Sequence, residues 1–360
     1  MDESFADLSI IGDNFNTTED VLPFFDSLAE NTIKGYALSS VYGGGTPNSE
    51  YEFLSGNSLA FLPTGAIVYQ QYIKSNSYSM LSNLKQLGYS CYATHPYLSS
   101  GWMRSTVYPL LGFDTFTFLD DYPQQNLVRD YVSDQEMFDY IIRLYENNIE
   151  MNSHQFIFGV TMQNHSGYDY TGDNFTETIK LKCYTNAYAD VEQYINLIHE
   201  TDTALHNLVD YLSTIDSPIL LVFYGDHWPG LNTDFYEEVH GSALTSLNET
   251  IYEYTVPFFI WANYDIDEQY VNLTSLNYLS NYVYNAAGIA LPAYNQQLAQ
   301  IQQHIPAINS QGYYSMDNGS FIPIDDATGE EAYWLNFYNQ LEYNCMFDSE
   351  HRSNILFPTS

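Results

Sequence analysis

The run Ile219-Leu220-Leu221-Val222-Phe223-Tyr224 is entered through Ser217-Pro218 and closed by Gly225-Asp226-His227-Trp228. It constrains the fold more than any other feature of this chain. A continuous apolar stretch of that length has the pattern of a strand buried on both faces. Open α/β sheets made of such strands hold their ligands beyond the carboxyl ends. An Asp and a His released together at that edge offer one oxygen and one nitrogen ligand to a divalent metal. The same pair also fits a turn with an Asp cap and an incidental imidazole, so alone it leaves both readings open.

The rest of the chain alternates in the same style. Apolar residues recur at helical spacing over 21–30, 78–87, 134–147 and 184–213, and short strand-like runs cover 36–41, 89–93, 156–160 and 254–262. Thr18-Glu19-Asp20 caps the first helix and Gly88 ends the second. This alternation predicts a mostly parallel sheet covered by helices on both sides. Composition shifts after Gly288, to a Gln-rich helix over 295–304 stopped by Pro306, the run Phe321-Ile322-Pro323-Ile324 and a last helix over 330–343. The expected division is 1–288 and a small unit, 289–360.

Two more segments carry chemistry. Glu3 stands in Asp2-Glu3-Ser4-Phe5 near the start. Tyr42-Gly43-Gly44-Gly45-Thr46-Pro47 puts a Thr after three glycines that let the backbone turn sharply and approach a ligand. A Thr at the start of a helix meets free N–H groups that favour anions. Its hydroxyl becomes a nucleophile only where a base or metal lowers its pKa. Thr46 equally fits a plain N-cap completed by Ser49 or Glu50.

Taken in order, Glu3-Ser4-Phe5, Gly-Gly-Thr46 and Gly225-Asp226-His227 resemble the extracellular domain of lipoteichoic acid synthases, in the alkaline-phosphatase/sulfatase superfamily. The resemblance runs from Glu3 to about Tyr314. It implies an alkaline-phosphatase-like α/β sandwich with a mostly parallel central sheet and a small C-terminal α+β subdomain. It also implies one divalent metal, Mn2+ with Mg2+ as the alternative, held by Glu3, Thr46, Asp226 and His227, with Thr46 as nucleophile. The segment Thr94-His95-Pro96-Tyr97 through Trp102-Met103-Arg104 is similar to the family's substrate segment, and Asn164-His165-Ser166 to the place of its second substrate histidine. His95, Trp102, Arg104 and His165 are thereby expected around a glycerol phosphate. Tyr97 stands where the family has an acid. Thr46-Pro47 is followed by no Arg in the setting a sulfatase needs, which disfavours that activity.

The expected function is therefore a phosphoglycerol transferase. It takes glycerol phosphate from the phosphatidylglycerol headgroup, through a phospho-threonine, to a glycerol-phosphate polymer or glycolipid acceptor. A related phosphodiesterase or phosphohydrolase, or an inactive ligand-binding paralogue, is the alternative. The family works at the extracellular face of a bacterial membrane, reached through helices that this chain lacks. No signal peptide or apolar run of spanning length stands in these 360 residues, which predicts a soluble chain whose first strand is missing. Charge excludes a different class. Nine basic against 45 acidic residues, a net −36, repel nucleic acid. Cys91, Cys183 and Cys345 form no CxxC and no zinc pattern.

Overall fold

The computed structural model describes residues 1–123, 125–149 and 154–359. The central layer uses β1 (Thr32–Leu38), β2 (Ser90–Thr94), β3 (Thr115–Thr117), β4 (Gln155–Gly159), β5 (Leu220–Tyr224), β6 (Thr255–Ala262) and β7 (Gln269–Ser275). Four of these pair in the order β5-β6-β1-β7 and three in the order β3-β2-β4. β2 runs parallel to β3 and β4, and β1 parallel to β7. β6 is antiparallel to both its neighbours.

Met1 and Asp2 join the two sheets. The Met1 amino group donates to the Gly159 carbonyl at 2.9 Å, and Thr161 N donates to Met1 O at 3.3 Å. On the other side Asp2 N donates to Tyr224 O at 2.9 Å, and Asp226 N to Asp2 O at 3.1 Å. Asp2 pairs in parallel with Gly225. Every strand except β6 therefore points one way, as the alternating pattern predicts. The carboxyl ends of β1, β2, β4 and β5 share one edge with Glu3.

β5 departs from the expectation of a strand buried throughout. Only Phe223 and Tyr224 are buried, and Leu220 to Val222 are half-buried. β6 covers one edge of β5, while Met1 and Asp2 touch the other edge only at its carboxyl end.

Helices pack in two groups. The long Ala189–Ser213 helix lies against Asp134–Asn148 and Pro23–Ser27. Thr46–Ser55 lies with Met80–Gln86 and Leu279–Ala286. The helix expected over 21–30 is only Pro23–Ser27, because Asp202 of the long helix takes the Phe24 and Phe25 N–H groups and Leu28 turns extended. The helix expected from Tyr184 begins at Ala189; Tyr184 instead bonds through its hydroxyl to the Asn14 carbonyl. Rings join sheet to helices, with Phe53 4.9 Å from Tyr224 and Phe5 edge-on to Phe223 at 4.8 Å.

A second apolar core, including Tyr294, Leu298, Tyr313, Leu335 and Tyr338, sits among the helices Ala293–Gln302 and Gly329–Met346 and the small sheet Ile308–Asn309, Gly312–Ser315, Ser320–Ile322. Tyr78 and Tyr278 reach into it from the larger part of the chain. All three cysteines are free thiols. Among the described residues no helix is long and apolar enough to cross a membrane.

Candidate active site

Glu3, Asp226 and His227 are buried together, each offering a ligand atom within 4.8 Å of the others. His227 Nε2 lies 3.2 Å from Asp226 Oδ2 and 3.5 Å from Glu3 Oε1. The fixed parts of these residues are already hydrogen-bonded. Asp226 Oδ1 accepts from Ser4 N and His227 N, both at 2.7 Å. Two hydroxyls, Ser39 and Ser49, donate to the Asp226 carbonyl at 2.6 Å. His227 Nδ1 lies 2.9 Å from the Trp228 carbonyl, which can only accept, so that nitrogen carries the hydrogen and Nε2 holds the lone pair. What remains is Asp226 Oδ2 and His227 Nε2, buried with no hydrogen-bond partner. Orphaned acceptors that converge are the donor set a divalent cation needs, so these residues fit the metal the family implies. Burial pushes the Asp226 carboxyl up to about 7, aided by Glu3 and opposed by His227. Burial works against charge on His227, but Asp226 and Glu3 outweigh it and raise its pKa. A cation bound among such groups displaces their protons.

Thr46 belongs to the same centre, its Oγ1 donating to Glu3 Oε2 at 3.1 Å. It is the first residue of the Thr46–Ser55 helix, whose N-cap is Gly45 at φ +93°. The plain-cap reading fails here. Gly45 has no side chain to cap with, Ser49 bonds the Asp226 carbonyl, and Glu50 points elsewhere. Gly43, Gly44 and Gly45 all have positive φ, which brings the chain end of β1 round to the helix.

One pocket is walled by Glu3, Thr46, His95, Trp102, Arg104 and His165, with His227 and Tyr97 beside them. The sequence-expected residues are thus brought together. His95 follows β2 directly, and its Nδ1 lies 2.9 Å from the Val160 carbonyl, leaving Nε2 as an acceptor. Burial, then the Arg104 charge, pulls the His95 pKa well down, so the ring stays neutral. Trp102 and Met103 take left-handed backbone, φ +52° and +61°, at the entry to the Arg104–Leu111 helix. Consecutive non-glycine residues there carry strain. His165 stands on the loop after β4, with Nδ1 3.2 Å from the Tyr131 hydroxyl.

Arg104 is not simply open to a ligand. Its Nε and Nη2 donate to Glu50 Oε1 at 2.9 and 2.6 Å, so the side-on fork is occupied. Sequence reading also missed Arg129, which donates to the carbonyls of Gln163, His165 and Gly167 and fixes the His165 loop. Arg129 has no motif around it. Glu50, one helical turn after Thr46, was legible only as a possible cap.

Comparison with known proteins agrees with this fold. The sulfatase family pattern matches residues 1–289. A Rhizobium meliloti (strain 1021) protein assigned to cyclic beta-1,2-glucan modification is 30% identical over 312 residues, covering 84% of this chain and 47% of its own length. The chain spans less than half the length of the curated relatives it matches. Streptococcus pyogenes phosphoglycerol transferase GacH, solved with sn-glycerol-1-phosphate, superposes with a TM-score of 0.77 at 23% identity over 100% of this chain and 88% of that one. Lipoteichoic acid synthase LtaP from Listeria monocytogenes gives 0.65 at 21% identity over 80% of this chain and 70% of that one.

Proposed function

This chain belongs to the sulfatase family, in the alkaline-phosphatase superfamily of phosphoryl and sulfuryl transferases and hydrolases, and from that premise we propose that it is a phosphoglycerol transferase. One observation carries the reading: Thr46, Glu3 and His227, with Asp226 buried against them, open on the same pocket as His95, Trp102, Arg104 and His165. The catalytic unit is residues 1–288, with 289–360 as a small subdomain.

Glu3, Asp226, His227 and the Thr46 hydroxyl would hold one divalent cation, Mn2+ by preference. Bound there, such a cation supplies Lewis acidity that lowers the hydroxyl pKa and neutralises phosphoryl charge. Thr46 Oγ1 passes its proton to Glu3 Oε2 and attacks the phosphorus of phosphatidylglycerol, and the phosphorus–oxygen bond to diacylglycerol breaks. The Thr46 N–H, at the start of the Thr46–Ser55 helix, faces a phosphoryl oxygen; Pro47 has no N–H and Asn48 N already donates to the Gly45 carbonyl. His165 delivers a proton to the departing alkoxide, and Trp102 packs against the glycerol. A glycerophospho-threonine remains, and the covalent step divides one hard displacement into two. His165, now deprotonated, takes the proton of the incoming hydroxyl as that oxygen displaces Thr46, whose oxygen recovers its proton from Glu3; neutral His95 keeps Nε2 to accept from a glycerol hydroxyl.

The acceptor is a hydroxyl on a glycerol-phosphate polymer or a glycan. The relative assigned to glucan modification supports the glycan arm. The resemblance to lipoteichoic acid synthases supports the outer face of a bacterial membrane as the place of the reaction.

The test is Thr46→Ala with Mn2+ and phosphatidylglycerol vesicles, following diacylglycerol release and the mass of the Thr46 peptide. Losing one hydroxyl that donates to Glu3 costs about 1 kcal/mol, so the fold survives. Release should fall by at least about 1,000-fold, an order typical for loss of a nucleophile or its partners. Release at the parent rate in Thr46→Ala overturns the covalent route. Glycerol phosphate appearing only free in water, even with glycan present, moves the reading to a phosphodiesterase.

A further inference from the structure

The Arg104 guanidinium reaches the pocket with its charge already answered. Glu50 is wholly buried and Arg104 is 1% exposed. Arg104 Nε and Nη2 both donate to Glu50 Oε1, and the Tyr69 and Tyr108 hydroxyls donate to Oε2 at 3.1 and 3.0 Å. Four donors fill the carboxylate's lone pairs. They come from two elements: Tyr69 from Val68–Gln71, and Arg104 and Tyr108, one turn apart, from Arg104–Leu111.

Arg104 Nη1 makes no hydrogen bond among the described residues. A methyl group at Gly101 would lie 3.7 Å from it, and Gly101, Trp102 and Arg104 all wall the pocket. The side-on edge of the guanidinium is thus anchored and its end is presented. The anchor sits four residues after Thr46 on the same helix, a rise of about 6 Å. One turn of helix therefore sets how far the guanidinium stands from the nucleophile.

We propose that Glu50 is a positioning residue that holds Arg104 with Nη1 toward the phosphoryl group and cancels its charge, so that the pocket takes a monoanionic phosphodiester in preference to a dianionic monoester. The proposal rests on the phosphoglycerol transferase reading. The physical reason is the charge sum. A guanidinium alone attracts a dianion twice as strongly as a monoanion, whereas a guanidinium paired with a buried carboxylate offers hydrogen bonds with little net field. A merely structural Glu50–Arg104 brace would tie the two helices without affecting which anion binds.

The experiment uses the whole Mn2+-loaded chain and inorganic phosphate as probe, titrated calorimetrically below and above its second ionisation. Turnover of phosphatidylglycerol is measured in parallel. Glu50→Gln removes the compensating charge and keeps the shape. It should bind phosphate about ten-fold more tightly at pH 8, with a smaller gain at pH 6, while kcat on the diester falls because the guanidinium is held less firmly. Glu50→Asp keeps the charge and shortens the reach. It should bind phosphate as the parent does and lose kcat with KM unchanged. A folded Glu50→Gln whose phosphate affinity stays at the parent value overturns the proposal. Should that variant not fold, a Glu50→Asp protein with parent kcat and only a lower melting temperature overturns it instead. If the parent fails to turn over phosphatidylglycerol yet binds phosphate with this dependence on Glu50, the donor reading falls and the role of Glu50 stands.

Discussion

Gly225 decides whether Glu3 and Asp226 meet. A methyl group there would lie 1.9 Å from the Phe5 carbonyl oxygen and 3.3 Å from Val256 Cβ. The segment carrying Glu3 can therefore pass against the end of β5 only where no side chain intervenes. Gly225→Ala should push Phe5, and Glu3 with it, away from Asp226. Overpacking of this kind costs roughly 1–3 kcal/mol. The expected result is a lower melting temperature and at least a ten-fold weaker Mn2+ affinity by titration. Parent Mn2+ affinity in that variant would show that Glu3 is not held by this contact. The two well-defined histidine tautomers are also decided one residue at a time. His227 and His95 each direct Nδ1–H to a backbone carbonyl, so Nε2 is left for chemistry in both.

The Thr46–Ser55 helix shows what an element can require beyond its own pattern. All ten of its residues are buried, so it has no polar face to give to water. Each of its polar side chains has a specific partner instead. Asn48 donates to the Ala66 carbonyl and accepts from Val68 N. Glu52 Oε1 accepts from Ser40 Oγ at 2.6 Å and from Leu59 N at 2.9 Å. Glu342, on the C-terminal helix, accepts from Ser58 N, and burial raises its pKa too. Burial lifts Glu52 from an ordinary 4.5 to about 7. The folded state then binds a proton that the unfolded chain releases. Its stabilising contribution is full below pH 4.5 and is lost as pH rises through 7, on the order of 3 kcal/mol. The parent should melt several degrees lower at pH 8 than at pH 5.5, and Glu52→Gln should shrink that difference. An unchanged pH dependence in Glu52→Gln would remove Glu52 from the account.

At the scale of the molecule, 45 acidic side chains meet nine basic ones. Several basic groups are already committed: Arg104 to Glu50, Arg143 to Glu136, Lys85 to Asp114, and Lys180 to Glu177 and Glu192. The remaining negative field opposes the compact state. It also opposes approach to an anionic lipid surface, so attraction for a phosphate has to arise locally. Salt screens that repulsion, with a Debye length near 10 Å at 0.1 M. Raising NaCl from about 20 to 300 mM at pH 8 should therefore raise the melting temperature by a few degrees. A fall would mean that the few ion pairs matter more than the net charge.

The sequence by itself determined the α/β class and the sheet edge at which the candidate site lies. Alternating apolar runs dictate strands and helices, and Gly225-Asp226-His227 and Gly-Gly-Gly-Thr46 mark strand ends by composition alone. Of the expected side chains, Thr46, Asp226 and His227 stand at strand ends, whereas Glu3, His95, Trp102, Arg104 and His165 were expected only through the family resemblance. Tertiary structure decided what no local pattern carries. The helix over 21–30 shrank to Pro23–Ser27 because a carboxylate 178 residues away takes the Phe24 N–H. Glu50 looked like a cap and is instead the anchor of Arg104, and Arg129 looked like nothing and holds the His165 loop. Periodicity reports which face of an element is apolar; it cannot report which distant polar group a buried carboxylate or guanidinium must meet. Those partners are chosen by burial, which leaves each charge one neighbour able to satisfy it.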